Sequence, residues 1–358
     1  MSAARPVDSA GTAAPERTGS AADSAPPPLL ALQAVSHHFG QGPAPGWLDR
    51  RLQRAGWQTP SAVTQALDGV DLAVHPREVV GLVGESGCGK STLGRIAAQL
   101  LAPSAGQVLF NGRPTASLDA DQRLQARLAV QMVFQDPQAS LNPRLRVAQA
   151  VGEAARVHGL VDAAALDDHV CAQLARTGLN PALRHRYPHQ FSGGQRQRVV
   201  IARALAVHPA LLVCDEAVAA LDVSIQAQIL NLFMDLRAQL GLALLFISHD
   251  LGVVEHLCDR VVVMYLGRVV ESAPVDALFA GARHPYTQAL LAEVPRIATR
   301  RTRFRPLQGE VPSPLSPPSG CHFHPRCPRA TALCRQAVPT LTGTATGHAV
   351  ACHHPDSP

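Results

Sequence analysis

One run of nine residues has a spacing suited to phosphate: Gly84-Glu85-Ser86-Gly87-Cys88-Gly89-Lys90-Ser91-Thr92, in the pattern G-x-x-x-x-G-K-[ST]. It follows the apolar stretch Val79–Val83, so a buried strand is expected to feed a glycine-rich loop that opens a helix at Ser91. Backbone N–H groups of such a loop wrap a phosphate chain, and the helix N-terminus adds partial positive charge. Lys90 is the only lysine among the 32 lysines and arginines. A compact ammonium can reach β- and γ-phosphates where a planar guanidinium would not fit.

Two further groups complement that loop. The apolar run Leu211–Cys214 ends in Asp215, where a carboxylate can hold Mg²⁺ beside the Ser91 hydroxyl. Glu216, one residue on, points differently and is placed to polarise an attacking water. Phe191-Ser192-Gly193-Gly194-Gln195 precedes a predicted helix over residues 196–206. Ser192 suits an N-cap, and the paired glycines allow close backbone approach to an anion. The chain therefore holds two phosphate-binding helix starts.

The elements that must position these groups alternate. Apolar runs predict strands at Leu29–Phe39, Leu67–Val74, Gly106–Phe110, Val130–Gln135, Ala210–Cys214, Ala243–Ile247 and Val261–Tyr265, with Asn111-Gly112 as a hairpin turn. Helical periodicity between them implies an α/β fold with a largely parallel sheet covered on both faces. Residues 144–190 are mostly helical in pattern and read as a subdomain set into that core. Residues 1–28 lack an apolar period and read as a disordered tail. Residues 41–65 form a Gly- and Pro-rich insertion carrying Trp47 and Trp57, and from about residue 281 the chain becomes proline-rich and loop-like.

Composition excludes several classes. Hydrophobic residues make up 46% of the 358 and the net charge is +5, which suits a globular protein with a substantial core. Aromatics are 4%, which argues against nucleic-acid binding by base stacking. Basic residues cluster at Arg300, Arg301, Arg303 and Arg305, read as a solvated linker or a contact for a membrane or partner. No apolar run nears the ~18 residues of a membrane span, and no secretory signal pattern opens the chain. A reducing compartment is expected, so the eight cysteines are not read as disulfides.

In family order, these motifs resemble the nucleotide-binding subunit of an ABC transporter, a P-loop NTPase. Gly84 to Thr92 matches the Walker A loop, Ser192 to Gln195 the signature, Asp215 the Walker B acid and Glu216 the catalytic base. Gln135 matches the Q-loop glutamine, Leu221-Asp222 the D-loop, His249 the switch histidine and Phe39 the aromatic that stacks on adenine, with core Phe39 or neighbouring His38 as the alternatives there. The resemblance implies a head-to-tail dimer of such domains that hydrolyses ATP with Mg²⁺ held by Ser91, Gln135 and Asp215. Lys90, His249 and the partner's signature would meet the γ-phosphate, and the helical subdomain (136–192) would dock on a membrane partner. Ala217 departs from the family's usual proline after the glutamate, which leaves the backbone looser there and removes no catalytic atom.

Phe134 to Arg144 and His284-Pro285-Tyr286-Thr287-Gln288-Ala289-Leu290-Leu291, followed by Val294-Pro295, are similar to dipeptide/oligopeptide (peptide/nickel) importer ATPases. That resemblance implies an ATPase domain over 29–280 with a C-terminal extension over 281–358. It further implies a second ATPase subunit, two permease subunits, indirectly a substrate-binding protein, and the cytoplasmic side of the inner membrane as location. A nickel or glutathione importer of the same family is the alternative, and a soluble non-transport ABC ATPase the rival class. Ribosome-type members carry two cassettes and repair-type members long coiled coils, and this chain has neither. Cys321, Cys327, Cys334 and Cys352 crowd the extension, and family resemblance points to a [4Fe–4S] cluster on them. Zinc and free thiols stay open as alternatives, with His322, His324, His348, His353 and His354 as competing ligands.

Overall fold

The computed structural model describes residues 27–40, 63–293, 309–343 and 347–356. Most of the N-terminal tail, Trp47, Trp57, the arginine cluster and Val294-Pro295 lie outside the described residues.

In chain order the strands are β1 (Leu30–Phe39), β2 (Thr64–Val74), β3 (Val79–Val83), β4 (Ala105–Phe110), β5 (Arg113–Pro114), β6 (Val130–Val133), β7 (Leu211–Asp215), β8 (Ala243–Ile247), β9 (Arg260–Tyr265), β10 (Arg268–Pro274), β11 (Thr342–Gly343) and β12 (Ala349–Val350). They form two sheets. One has the order β2-β1-β4-β5 and the other β11-β12-β10-β9-β3-β8-β7-β6. In the larger sheet β9, β3, β8, β7 and β6 are parallel. Every residue of β3, β7 and β8 is buried. Such continuous apolar runs form where helices cover both faces, and each fully buried Val, Leu or Ile contributes about 1.5–3 kcal/mol. The parallel expectation therefore holds for the centre of this sheet. Antiparallel β10, β12 and β11 extend its edge, and the four-stranded sheet is antiparallel in its pairings. Asn111 and Gly112 both take positive φ between paired Phe110 and Arg113, the geometry a two-residue hairpin demands.

The helices that matter for the site are α1 (Lys90–Ala97), α2 (Ala120–Ala129), α3 (Pro137–Ser140), α4 (Val147–Val157), α5 (Leu166–Arg176), α6 (Gly193–Leu205), α7 (Val223–Leu240) and α8 (Leu251–Leu257). Helix α4 buries Val147, Ala150, Val151 and Ala155, the i, i+3, i+4 stripe of an amphipathic helix, and packs with α5 and α6.

The C-terminal part adds α9 (Val275–Ala280), α10 (Pro285–Ala292) and α11 (Ala332–Gln336). It is joined to the main sheet by more than loops, because β12 pairs with β10 at Glu271↔Val350. Glu271 is fully buried and accepts from the backbone N–H of Arg283 and His284 at 2.6 and 3.1 Å, with His348 Nε2 at 2.7 Å. A buried carboxylate is tolerable when its lone pairs are filled in this way.

Candidate functional site

The carboxyl ends of the parallel strands converge. β3 runs into the glycine-rich loop, and α1 starts at Lys90, one residue before the expected Ser91. Gly89 caps it at φ 103, where an added Cβ would lie 2.4 Å from the Ala66 carbonyl oxygen, so only glycine fits. Lys90 is 5% exposed and donates from Nζ to the carbonyl oxygens of Gly84 at 2.7 Å and Glu85 at 2.9 Å. The loop thus curls around its own ammonium. Ser86 and Gly87 remain exposed. The buried Cys88 thiol lies 3.8 Å from Lys90 Nζ, and burial pushes it up from the ordinary thiol value.

At the end of β7, Asp215 accepts from the Ser91 hydroxyl at 2.9 Å. Burial pushes the Asp215 carboxyl above its ordinary value, and the Ser91 hydrogen bond opposes that shift. Glu216 follows at φ 47, a left-handed conformation uncommon for a non-glycine residue. Its backbone N–H donates to Ile247 of β8 at 3.0 Å, and its carboxylate meets two side chains. Gln135 Nε2 donates to Glu216 Oε2 at 2.9 Å, and His249 Nδ1 lies 3.6 Å from Glu216 Oε1. Each of these two neighbours is followed by a capping aspartate. Asp136 accepts from the N–H of Gln138 and Ala139 at the start of α3, and Asp250 from those of Gly252 and Val253 at the start of α8. These N-caps fix the turns that present Gln135 and His249.

Ser192 caps α6 reciprocally: its hydroxyl accepts the Gln195 N–H at 3.3 Å, and Gln195 Oε1 accepts the Ser192 N–H at 3.1 Å. Ser192, Gly193 and Gln195 are exposed. Asp222, which precedes α7, is exposed and makes no side-chain cap bond, and Val223 beside it is 83% exposed. Phe39 ends β1 at 43% exposure with its ring edge-on to His37 at 4.6 Å, so it is not a core residue.

The donor set at the loop suits Mg²⁺. A hydroxyl and a buried carboxylate oxygen are hard ligands, and Mg²⁺ normally takes one or two protein oxygens plus substrate phosphates. The four C-terminal cysteines line one small cavity together with His324, His353 and His354. Burial, reinforced by the neighbouring cysteines, pushes Cys321 up to about 11, and burial raises Cys327 and Cys352. Among the described residues, however, no three His, Cys, Asp or Glu are disposed to hold a metal ion, so the cluster and zinc expectations gain no support from the geometry. The histidines have structural partners instead. His322, His324 and His353 face backbone carbonyls, His348 faces Glu271, and His354 faces the Thr331 hydroxyl.

Two residues at the loop were missed in the sequence. The Glu85 N–H donates to the Tyr286 hydroxyl at 2.8 Å, and the Arg326 guanidinium grips the Glu85 carboxylate at 2.7 and 3.0 Å. The available signal was Glu85 itself, since an acid inside an anion-binding loop calls for a cation partner.

Residues 67–219 match the ABC transporter family, and residues 270–334 match the C-terminal region of oligopeptide/dipeptide transporters. A Sinorhizobium fredii protein named as a probable peptide ABC transporter ATP-binding protein is 52% identical over 301 residues, covering 84% of this chain and 85% of its own. The oligopeptide transport ATP-binding protein OppF of Salmonella typhimurium is 47% identical over 328 residues, covering 90% and 95%. Among solved structures, cbiO1 from Clostridium perfringens, part of the ABC transporter complex cbiONQ, superposes with a TM-score of 0.59 at 28% identity, covering 71% of this chain and 91% of its own. The ATP-binding cassette MJ0796, in a dimeric post-hydrolysis state bound to ADP and Pi, gives 0.57 at 26% identity, covering 69% and 98%.

Proposed function

This chain belongs to the ATP-binding subunits of ABC importers of peptides, and from that premise we propose how its own residues couple ATP hydrolysis to import. The observation that carries the proposal is the convergence of Lys90, Ser91, Asp215, Glu216, Gln135 and His249 at the carboxyl ends of the parallel strands.

Loop N–H groups from Gly84 to Thr92 and the Lys90 ammonium bind the β- and γ-phosphates, and Lys90 exchanges its present carbonyl partners for phosphate oxygens. Ser91, Gln135 and Asp215 would hold Mg²⁺, which when bound would supply positive charge to offset that of the phosphates. Glu216 orients the attacking water and accepts its proton. Its left-handed backbone and its contacts with Gln135 and His249 aim the carboxylate at one place. His249 donates toward the γ-phosphate, and Phe39 offers an exposed face for adenine.

Ser192 to Gln195 acts on the nucleotide of a second copy or a similar subunit. Three observations support this: its exposed helix start, the neighbouring exposed Asp222 and Val223, and the dimeric cassette among the related structures. The permease partner docks at a groove of about 660 Å³ lined by Leu100, Leu124, Phe134, Ala154 and His158, between the phosphate-loop core and the helical subdomain. Its lining includes Phe134, which precedes the Gln135 that bonds Glu216, so a shift at Glu216 reaches it in a few residues. Among the described residues no helix is long and apolar enough to cross a membrane, and attachment to the inner-membrane face through the permeases is part of the proposal. Di- and oligopeptides are the cargo class, carried over from the relatives' names.

The [4Fe–4S] assignment to Cys321, Cys327, Cys334 and Cys352 rests on family resemblance alone, since their shared cavity brings no three of them into a metal-holding arrangement. When bound, such a cluster would replace a core in a loop-rich segment. Anaerobically purified protein would be brown, and a colourless, iron-free preparation sinks the assignment.

The test of the catalytic reading is Glu216→Gln. Hydrolysis falls about 10²–10⁴-fold while ATP now holds a stable dimer, seen by size-exclusion chromatography. Turnover at the wild-type rate removes Glu216 as the base.

A further inference from the structure

We propose that Arg326 and Tyr286, both from the C-terminal extension, are positioning residues of the phosphate loop. Arg326 neutralises Glu85, and Tyr286 fixes the Glu85 backbone, so ATP affinity depends on that extension. The proposal rests on Gly84 to Thr92 being the ATP site.

Glu85 is the second residue of a loop that must accept a polyanion. An unpaired carboxylate there repels phosphate, and the repulsion is felt more strongly in a partly buried site than in water. Arg326 removes the problem. Its side chain is 4% exposed and forms a two-pronged contact with Glu85, which is 23% exposed. Paired prongs of this kind are short, directional and stronger than neutral hydrogen bonds. The Glu85 contact raises the Arg326 guanidinium further above its ordinary value.

Arg326 is held in place by its surroundings. Its guanidinium lies over the Tyr265 ring at 5.9 Å, and its backbone N–H closes a turn on Phe323 at 3.0 Å. Tyr265, Tyr286 and Phe323 are fully or almost fully buried and pack as three rings, with centroids 4.7 to 5.4 Å apart. One aromatic cluster therefore carries both contacts to Glu85. Tyr286 accepts the Glu85 N–H and sets the direction of the peptide that enters the loop. Arg326 also precedes Cys327, so the cysteine-lined cavity begins one residue from the guanidinium. By linkage, nucleotide in the loop and order in the extension favour each other.

The experiment compares ATP binding to the full chain, by titration calorimetry, for wild type, Arg326→Gln, Arg326→Lys, Glu85→Gln and the double variant Glu85→Gln/Arg326→Gln, with thermal unfolding as a check on folding. Arg326→Gln weakens ATP about tenfold, while turnover at saturating ATP stays within about twofold. Arg326→Lys, which keeps the charge, retains most of the affinity. In the Glu85→Gln background the Arg326→Gln change loses its effect, because no carboxylate is left to neutralise. A purely structural role for Arg326 would give equal losses in both backgrounds, and that result overturns the proposal, as does wild-type affinity in Arg326→Gln. Lys90→Ala separates the premise. If it binds ATP like wild type, the phosphate-loop reading falls and this proposal with it. If it fails to bind while Arg326→Gln binds normally, only this proposal falls.

Discussion

Gly84–Thr92 and Ser192–Gln195 are both glycine-rich starts of helices, yet they are built in opposite ways. The first is tied down on several sides. Lys90 bonds its own loop, Ser91 bonds Asp215, the Glu85 N–H meets Tyr286, and the Glu85 carboxylate is gripped by Arg326. The second bonds mainly to itself through the Ser192–Gln195 exchange and presents its surface outward. A segment held from all sides can bind a ligand within one subunit. A segment satisfied only by its own cap, with exposed residues at its tip, is built to meet something that arrives from outside. On the proposed function, the difference fits the two to different steps, first nucleotide capture and then closure against a partner.

The largest effect that would sharpen this contrast comes from paired variants. Lys90→Ala removes charged hydrogen bonds to phosphate, and ATP affinity should fall about 10²–10⁴-fold in the isolated subunit. Ser192→Arg should leave that affinity within about threefold while abolishing hydrolysis, since the change lies on the partner-facing side. Mixing the two variants should restore turnover, because one of the two composite sites then has an intact loop and an intact signature. Calorimetry and a phosphate-release assay report both arms. Equal loss of ATP affinity in the two variants, or no recovery on mixing, would break the division of labour.

How much of this could be read beforehand differs between the regions for a physical reason. The phosphate loop, the acid pair and the signature are contiguous in sequence, and their chemistry requires particular residue types at fixed spacing. Buried strands such as Val79–Val83 and Ala243–Ile247 are equally visible, since a two-sided burial demands an unbroken apolar run. The contacts from Tyr286 and Arg326 to Glu85 span 201 and 241 residues, and no local period encodes such a meeting. Strands β11 and β12 are two residues each, too short to show alternation. The shared cavity of Cys321, Cys327, Cys334 and Cys352 depends on the same folding-back, so spacing alone left their ligand open.

Acid should weaken the fold through a residue that supports the loop. His284 is almost wholly buried, burial pushes it down from 6.5 to about 4, and its Nδ1 accepts the Tyr286 N–H at 3.0 Å. The unfolded chain takes up that proton near pH 6.5 and the folded chain only near pH 4. Between those values the unfolded state binds more protons, so stability is lost as pH falls, by about 2 kcal/mol at pH 5. Urea unfolding at pH 7 and pH 5 should show a smaller acid loss for His284→Gln than for wild type. The same loss in both would mean that His284 carries no part of the acid response, and that Tyr286 is anchored by other means.

The smallest effect tests the other side of the contrast, whether the signature has any packing constraint of its own. An added Cβ at Gly194 would stand 2.5 Å from Cγ2 of Ile225 on α7. In an open helix, Gly→Ala gains up to about 1 kcal/mol from backbone entropy. Here the methyl must push a β-branched side chain whose rotamer freedom is small, at a cost of about 1–3 kcal/mol. The cost should win, leaving Gly194→Ala destabilised by about 1 kcal/mol. Trimming the obstacle reverses the sign, so in an Ile225→Ala background the same change should be neutral or stabilising, a coupling of about 1 kcal/mol or more. A denaturation cycle over the four proteins measures it. If Gly194→Ala is stabilising in both backgrounds, the signature glycine has no close neighbour within its own chain. Its glycine would then be explained only by what approaches from the partner.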